Sequence, residues 1–236
     1  MTFTPYQFPE ATELSKTGRK IPKETIYQQA SPSYEIKQLF VNQIEQIRWK
    51  YKLAPDTLNI SRSDDISEIQ VFEITLKPDT TELDLRILET LDRTIPSAIY
   101  YQVYNSQHSK MQCLMAAKRT NIRDEKQMII QDYFASEWTP LKVNNNSSNA
   151  HRSLPVVISV SDLYNELLRS LLPEPARPSE GLEQQLERIS NLTQQRKALS
   201  KLKNQLHREK QFNRKVVINR KINQLKQLIE RNTVNG

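Results

Sequence analysis

Two groups of side chains in this chain have the types and spacing that chemistry requires. The first is cationic. Arg196, Lys197, Lys201, Lys203, Arg208, Lys210, Arg214, Lys215, Arg220, Lys221 and Lys226 fall within thirty-one residues, opposed only by Glu209. Polyphosphate demands that density, because each neutralised phosphate releases counterions and about six to ten contacts give strong, salt-dependent binding. Lys and Arg at helical spacing can follow a phosphate backbone without reading bases. Lys201, Lys203, Arg208, Lys210, Arg214, Lys215, Arg220 and Lys221 are therefore the candidate nucleic-acid contacts. An acidic protein partner or a plainly solvated coil are the competing readings, although a solvated coil ordinarily mixes both signs. Phe212 is the only aromatic residue in the run, which argues against a single-strand stacking platform.

The second group is acidic. Pro55-Asp56 is followed by Glu68-x-Gln70. Two carboxylates on adjacent strands could hold Mg²⁺, and a lysine two residues further on would position the attacking water. Restriction-type nucleases carry a similar Pro-Asp…(Asp/Glu)-x-Lys arrangement. Here Gln70 stands where the ammonium would be, Glu73 and Lys77 are four apart rather than two, and Asp64 and Asp65 fall in an expected loop. Asp56, Glu68 and Gln70 are thus the catalytic candidates, against the plainer reading of a solvated strand edge. Cys113, within Met111-Gln112-Cys113-Leu114-Met115, reads as a small core residue on a strand, since no neighbour supplies the base a nucleophile needs. Tyr100, Tyr101, Tyr104, Trp49 and Trp138 read as core and core rim, and His207 as exposed.

Composition removes several classes. Gly18, Gly181 and Gly236 are the only glycines, too dispersed for a loop that cradles phosphate or a dinucleotide. One cysteine excludes an internal disulfide and a thiolate zinc knuckle, and His108, His151 and His207 are too scattered for a helical metal pair. Neither metal nor cofactor is expected. The first twenty residues are polar and no apolar run approaches eighteen, so neither signal peptide nor membrane span is expected, and the cytoplasm is the expected compartment.

The elements that must position these groups follow from charge and periodicity. The chain holds 34 Lys+Arg and 27 Asp+Glu, a formal net charge of +7. Arg188 to Arg231 carries thirteen cations and two acids, +11, which leaves 21 cations and 25 acids, −4, on the rest. A mildly acidic globular part joined to a basic appendage is implied. The joint is Pro173-Glu174-Pro175-Ala176-Arg177-Pro178, whose three prolines continue neither a helix nor a central strand. The expected division is residues 1–172 as an α+β domain, 173–178 as linker and 179–232 as a basic coiled-coil hairpin.

In the first part the spacing predicts a helix over Tyr34–Tyr51, a short strand at Leu58–Ile60 and a clear strand at Ile69–Leu76. A helix capped by Asp79 and Glu82 runs to about Arg93. Ile99–Tyr104 and Met111–Ala117 are strands joined by the polar Asn105–Lys110 loop, and Tyr133–Trp138 is a further strand. Asn144–Asn149 reads as a solvated loop, and Ser161 caps a helix through Leu172. One mixed sheet with flanking helices results.

From Leu182 to Arg231 there is neither Gly nor Pro. Leu182, Ile189, Arg196 and Lys203 fall seven apart, as do Gln185, Leu192, Leu199 and Leu206, an a/d seam with two cations at positions that prefer Ile or Val. Phe212–Asn219, with Val216-Val217-Ile218, is poor helix material and should interrupt the coil before Ile222, Leu225 and Ile229 resume it. An antiparallel hairpin fits best; the alternative is one continuous helix of about 75 Å. A seam of this kind could also form a homodimer.

Several phrases together resemble a bacterial family known as domain of unknown function 4391. They are Arg48-Trp49-Lys50-Tyr51-Lys52-Leu53-Ala54-Pro55, Glu68-Ile69-Gln70-Val71-Phe72, Thr94-Ile95-Pro96-Ser97-Ala98-Ile99 and Tyr133-Phe134-Ala135-Ser136-Glu137-Trp138. Leu171-Leu172-Pro173, Ala176-Arg177-Pro178 and the distinctive Glu209-Lys210-Gln211-Phe212-Asn213-Arg214-Lys215-Val216 join them. The family often has a tyrosine before its central lysine, where this chain has Ala117-Lys118. The resemblance assigns no reaction. It implies an accessory role beside DNA helicases and DNA methyltransferases in restriction-like or phage-defence systems. The expectation is a non-enzymatic adaptor that touches nucleic acid, DNA before RNA, through its coil and docks on such a partner. A divergent Mg²⁺ nuclease using Asp56 and Glu68, or a homodimeric adaptor without nucleic-acid contact, are the alternatives.

Overall fold

The computed structural model describes residues 3–105, 107–121, 124–141 and 151–234. Asn144–Asn149 lies outside them. The chain divides into two compact units, Met1–Leu172 and Pro173–Gly236.

In chain order the first unit runs β1 (Tyr6–Gln7), a 3₁₀ turn at Glu10–Thr12, β2 (Arg19–Lys20), α1 (Lys23–Ala30), α2 (Tyr34–Gln43), β3 (Ile44–Leu53) and α3 (Pro55–Leu58). It continues with β4 (Ile69–Leu76), α4 (Leu85–Thr94), β5 (Ala98–Asn105), β6 (Lys110–Asn121), β7 (Asp124–Ala135), β8 (Thr139–Pro140), β9 (Arg152–Ser153) and α5 (Val160–Arg169). Among the described residues seven strands form one mixed sheet in the order β2-β3-β4-β5-β6-β7, with β8 on β6. Within this sheet, among the described residues, only β4 and β5 pair in parallel, and α4 is the crossover that such a pair requires. β1 and β9 pair separately.

One sheet face carries the main core. Phe72, Ile74 and Leu76 of β4, with Ile99, Tyr101 and Val103 of β5, meet Ile87, Leu88 and Leu91 of α4 and Ile26 and Phe40 from α1 and α2. The alternate side chains Val71, Tyr100, Cys113 and Met115 are also buried and project from the other face. There Phe8 packs on Tyr100 with ring centroids 5.8 Å apart. Burial pushes the Cys113 thiol up to about 12, as a core residue without an activating base requires.

Five expectations are corrected. The helix foreseen over Tyr34–Tyr51 stops at Gln43, and Ile44–Leu53 is a strand. Ile44 and Ile47 fit either period, but Ile47, Trp49 and Tyr51 alternate, and pairing Ile47 with Ile74 and Trp49 with Phe72 decides for the sheet. The strand foreseen at Leu58–Ile60 is replaced by the single helical turn α3, with Pro55 at its first position and Asn59 left-handed at its end. The α4 helix is capped by Asp84, whose carboxylate accepts from the Arg86 N–H at 3.0 Å, rather than by Asp79. Ser159, in a reciprocal box with Asp162, caps α5 in place of Ser161. The strand expected at Tyr133–Trp138 begins at Asp124 and ends at Ala135.

The second unit is an antiparallel hairpin of α6 (Leu182–Arg208) and α7 (Phe212–Val234). Val216-Val217-Ile218, expected to break the coil, is helical. The propensity penalty of such residues is a few tenths of a kcal/mol each, whereas burying Ile218 and Ile222 in the seam contributes roughly 1.5–3 kcal/mol apiece. The seam itself is shifted from expectation. Gln185, Ile189 and Leu192 are buried, followed by half-buried Gln195, Leu199, Leu202 and Leu206, while Arg196 and Lys203 are exposed. Turning those two cations to water avoids the cost of burying unpaired charge.

Candidate nucleic-acid interface

The hairpin fold raises the charge density that the sequence only spreads along a line. Lys201, Lys203 and Arg208 lie on the last turns of α6, Lys210 in the turn, and Arg214, Lys215, Arg220 and Lys221 on the first turns of α7. All eight are exposed. Folding the chain back on itself gathers them within roughly 15 Å of helix axis, about ten residues at 1.5 Å each. Their fields therefore add within about one to two Debye lengths at physiological salt.

Carboxylates do not offset this end of the hairpin. Nearer the prolines, Glu180 accepts from Arg188 Nε and Nη2, both at 2.7 Å, and Glu174 accepts from Arg196 at 2.7 Å. Those guanidinium bonds hold the Glu180 carboxyl down at about 2. Towards the turn the one acid is Glu209. Its Oε1 accepts from the backbone N–H of Lys210 and of Gln211, both at 2.9 Å, and its Oε2 lies 4.0 Å from Arg214. Backbone donors, the Gln211 N–H first, hold this carboxyl below the usual range. Among the described residues Lys201, Lys203, Arg208, Lys210, Lys215, Arg220 and Lys221 have no carboxylate partner.

The acidic candidates sit in the first unit. Asp56 is exposed on α3, a helical turn and not a strand, while Glu68 immediately precedes β4. Glu68 Oε1 accepts from Gln70 Nε2 at 2.7 Å and from Ser97 Oγ at 3.0 Å, and its Oε2 pairs with Lys52 Nζ at 3.0 Å. Gln70 is buried, and its side-chain amide holds the Glu68 carboxylate. The ammonium that Gln70 cannot supply comes from Lys52 on the neighbouring strand, and its bond to Glu68 raises the Lys52 pKa. A divalent ion on Glu68 would have to displace three donors. Among the described residues no group of three His, Cys, Asp or Glu is placed to hold a metal.

A third cluster lies beside the second, linked through Ser97, and it contains Asp92, which residue spacing alone does not single out. Lys118 Nζ is 2.7 Å from Asp92 Oδ1, the two side chains 1% and 0% exposed, and donates to the Ser97 carbonyl at 2.8 Å. Asp92 Oδ2 accepts from Tyr101 at 3.1 Å and Tyr133 at 2.7 Å. Burial first, and then the Asp92 charge, push both phenols up. The backbone at Lys118 is pinned as well: its N–H donates to the Tyr164 hydroxyl at 2.7 Å, which donates to the Ala116 carbonyl at 3.1 Å across a bulge in β6. The signal was present in the sequence: Asp92 lies on the apolar stripe of α4, four residues after Leu88, and Lys118 continues the apolar run of β6. With the Lys118 and Asp92 side chains sealed from solvent, the cluster joins α4, β5, β6 and β7.

Residues 7–229, nearly the whole chain, match the family described as "Domain of unknown function (DUF4391)". The chain belongs to DUF4391. No curated protein and no solved structure matches it. In this DUF4391 chain the phrases that carry the likeness fall on elements described above. Arg48–Pro55 spans β3 into α3, Glu68–Phe72 opens β4, and Thr94–Ile99 is the α4–β5 connection that carries Ser97. Glu209–Val216 is the tip of the hairpin. No helix among the described residues is long and apolar enough to cross a membrane.

Proposed function

We propose that this DUF4391 protein is a non-enzymatic, cytoplasmic accessory subunit of a bacterial DNA-modification or phage-defence system. Its hairpin lies along nucleic-acid phosphates, DNA before RNA, while the α+β unit docks on a helicase or methyltransferase partner. One observation carries the reading: seven exposed Lys and Arg side chains without a carboxylate partner among the described residues, gathered at one end of the hairpin where the one local acid is spent on the backbone. Duplex DNA offers one negative charge per roughly 1.7 Å of axis, so a cationic segment of this length meets several phosphates at once. The contact is electrostatic and reads no sequence.

The test is a charge-reversed variant of the full chain, with Lys201, Lys203, Lys210, Lys215 and Lys221 all changed to Glu. These side chains are exposed and lie outside the seam, so circular dichroism should be preserved. Retention of a random duplex at low salt should be lost. Undiminished retention by the folded variant would refute the proposal.

A further inference from the structure

The tip of the hairpin is not purely cationic. Phe212, the first residue of α7, is 78% exposed, and Val216 and Val217 on the next turn are 44% and 53% exposed. In the sequence Arg208 and Lys210 precede it and Arg214 and Lys215 follow it, all four exposed. An aromatic side chain so open to water contributes nothing to the seam, which Ile218 and Ile222 fill from another side of the same helix. The backbone that carries it is fixed, however. Glu209 accepts the Lys210 and Gln211 N–H groups, and Gln211 accepts the Lys215 N–H at 3.0 Å, so the helix start is ordered directly beside the ring.

Resting on the phosphate reading above, we infer that Phe212 is a stacking wedge that directs the hairpin to unpaired bases at a duplex end or fork. The chemistry combines two contacts that one nucleic-acid structure supplies together. Phosphates on the paired side meet the cations along α6 and α7, and an exposed base face meets the phenyl ring. One ring cannot line a single-strand tract, but it can occupy the place of a lost neighbour in a stack, as apolar wedges do between base steps. An anionic bilayer is the other surface that takes cations and apolar groups together. It requires a continuous apolar stripe, and here the stripe ends within two turns at Arg220 and Lys221.

Binding of the full chain would be measured by fluorescence anisotropy on a blunt duplex, on the same duplex with unpaired arms, and by co-sedimentation with phosphatidylserine–phosphatidylcholine vesicles. The wild type should prefer the forked probe by roughly five- to hundredfold, the span that one base–aromatic stack supports. Phe212→Ala should erase that preference while leaving blunt-duplex affinity and its salt dependence unchanged, and Phe212→Trp should restore it. Equal wild-type affinity for both probes, or a preference that survives Phe212→Ala, overturns the wedge and leaves the phosphate reading standing. Phe212-dependent binding to vesicles without fork preference overturns it in favour of a lipid surface. No binding to either DNA at low salt overturns both.

Discussion

Replacing Lys118 by Met should destabilise the α+β unit by several kcal/mol without touching the hairpin. Among the described residues Lys118 Nζ is the only cation paired with Asp92, at 2.7 Å, and both side chains are sealed from water. Methionine matches the aliphatic stem, so packing changes little and the loss is electrostatic. Breaking a buried pair by removing one partner costs about 3–5 kcal/mol, because the surviving charge stays buried. Two phenols still donate to Asp92 Oδ2, which places the expected cost near the lower end, about 3 kcal/mol. Against a total stability of about 5–15 kcal/mol this is a large fraction. For a unit of this size it corresponds to a fall in Tm of roughly 6–12 °C. Both tryptophans, Trp49 and Trp138, lie in the α+β unit. Urea unfolding followed by tryptophan fluorescence therefore reports this unit selectively, and the midpoint should fall by about 1–2 M. Asp92→Asn added to Lys118→Met removes the orphaned charge, keeps an acceptor for Tyr101 and Tyr133, and should recover more than half of the loss. A single variant within about 1 kcal/mol of wild type, or a double variant no better than the single, would refute the reasoning.

Alkali should unfold the same unit steeply. Burial raises Tyr100 and Tyr101 well above the usual value and pushes Tyr164 up to about 12. Their folded pKa values exceed the unfolded one, so the unfolded chain binds fewer protons above pH 10. Their stabilisation is whole below pH 10 and is lost as pH rises towards the folded values. Each buried phenol contributes about 1.4 kcal/mol per pH unit in that window. Tyrosinate absorbance and loss of circular dichroism should rise together; phenol titration near pH 10 with the fold intact would contradict this. Gly18→Ala should cost about 1–2 kcal/mol and lower Tm by several degrees, with DNA retention unchanged. Gly18 has φ +70°, and a Cβ there would sit 3.1 Å from the Trp49 carbonyl oxygen. Thermal melting decides it, and an unchanged Tm would show that the turn before β2 relaxes freely.

How legible the molecule was in its sequence depends on what each element relies on. β4, β5 and the apolar stripe of α5 are set by their own composition and were readable. So were α6, which lacks Gly and Pro, and the second half of α7 from Ile222. The α2–β3 boundary was not readable, since Ile44 and Ile47 satisfy both periods and the decision lies in partners at Phe72 and Ile74, some thirty residues away. Val216-Val217-Ile218 shows the same limit: intrinsic propensity disfavours a helix there, and the seam at Ile218 and Ile222 overrides it. The cationic residues of the candidate interface were fully legible, because charge needs no partner to be counted. Their concentration at the hairpin tip was not, since it depends on where the chain turns. Lys118 and Asp92 were hidden by sequence distance, and their meeting depends on the α4 crossover and the bulge in β6.

The most direct test of the central claim is the salt dependence of duplex-DNA affinity for the wild-type chain. With the slope set by about 0.9 per phosphate neutralised, five to eight contacts predict log affinity falling against log salt with a slope of roughly −4 to −7. A slope near zero, or no retention of duplex at low salt, would contradict the phosphate contact on which the proposed function stands.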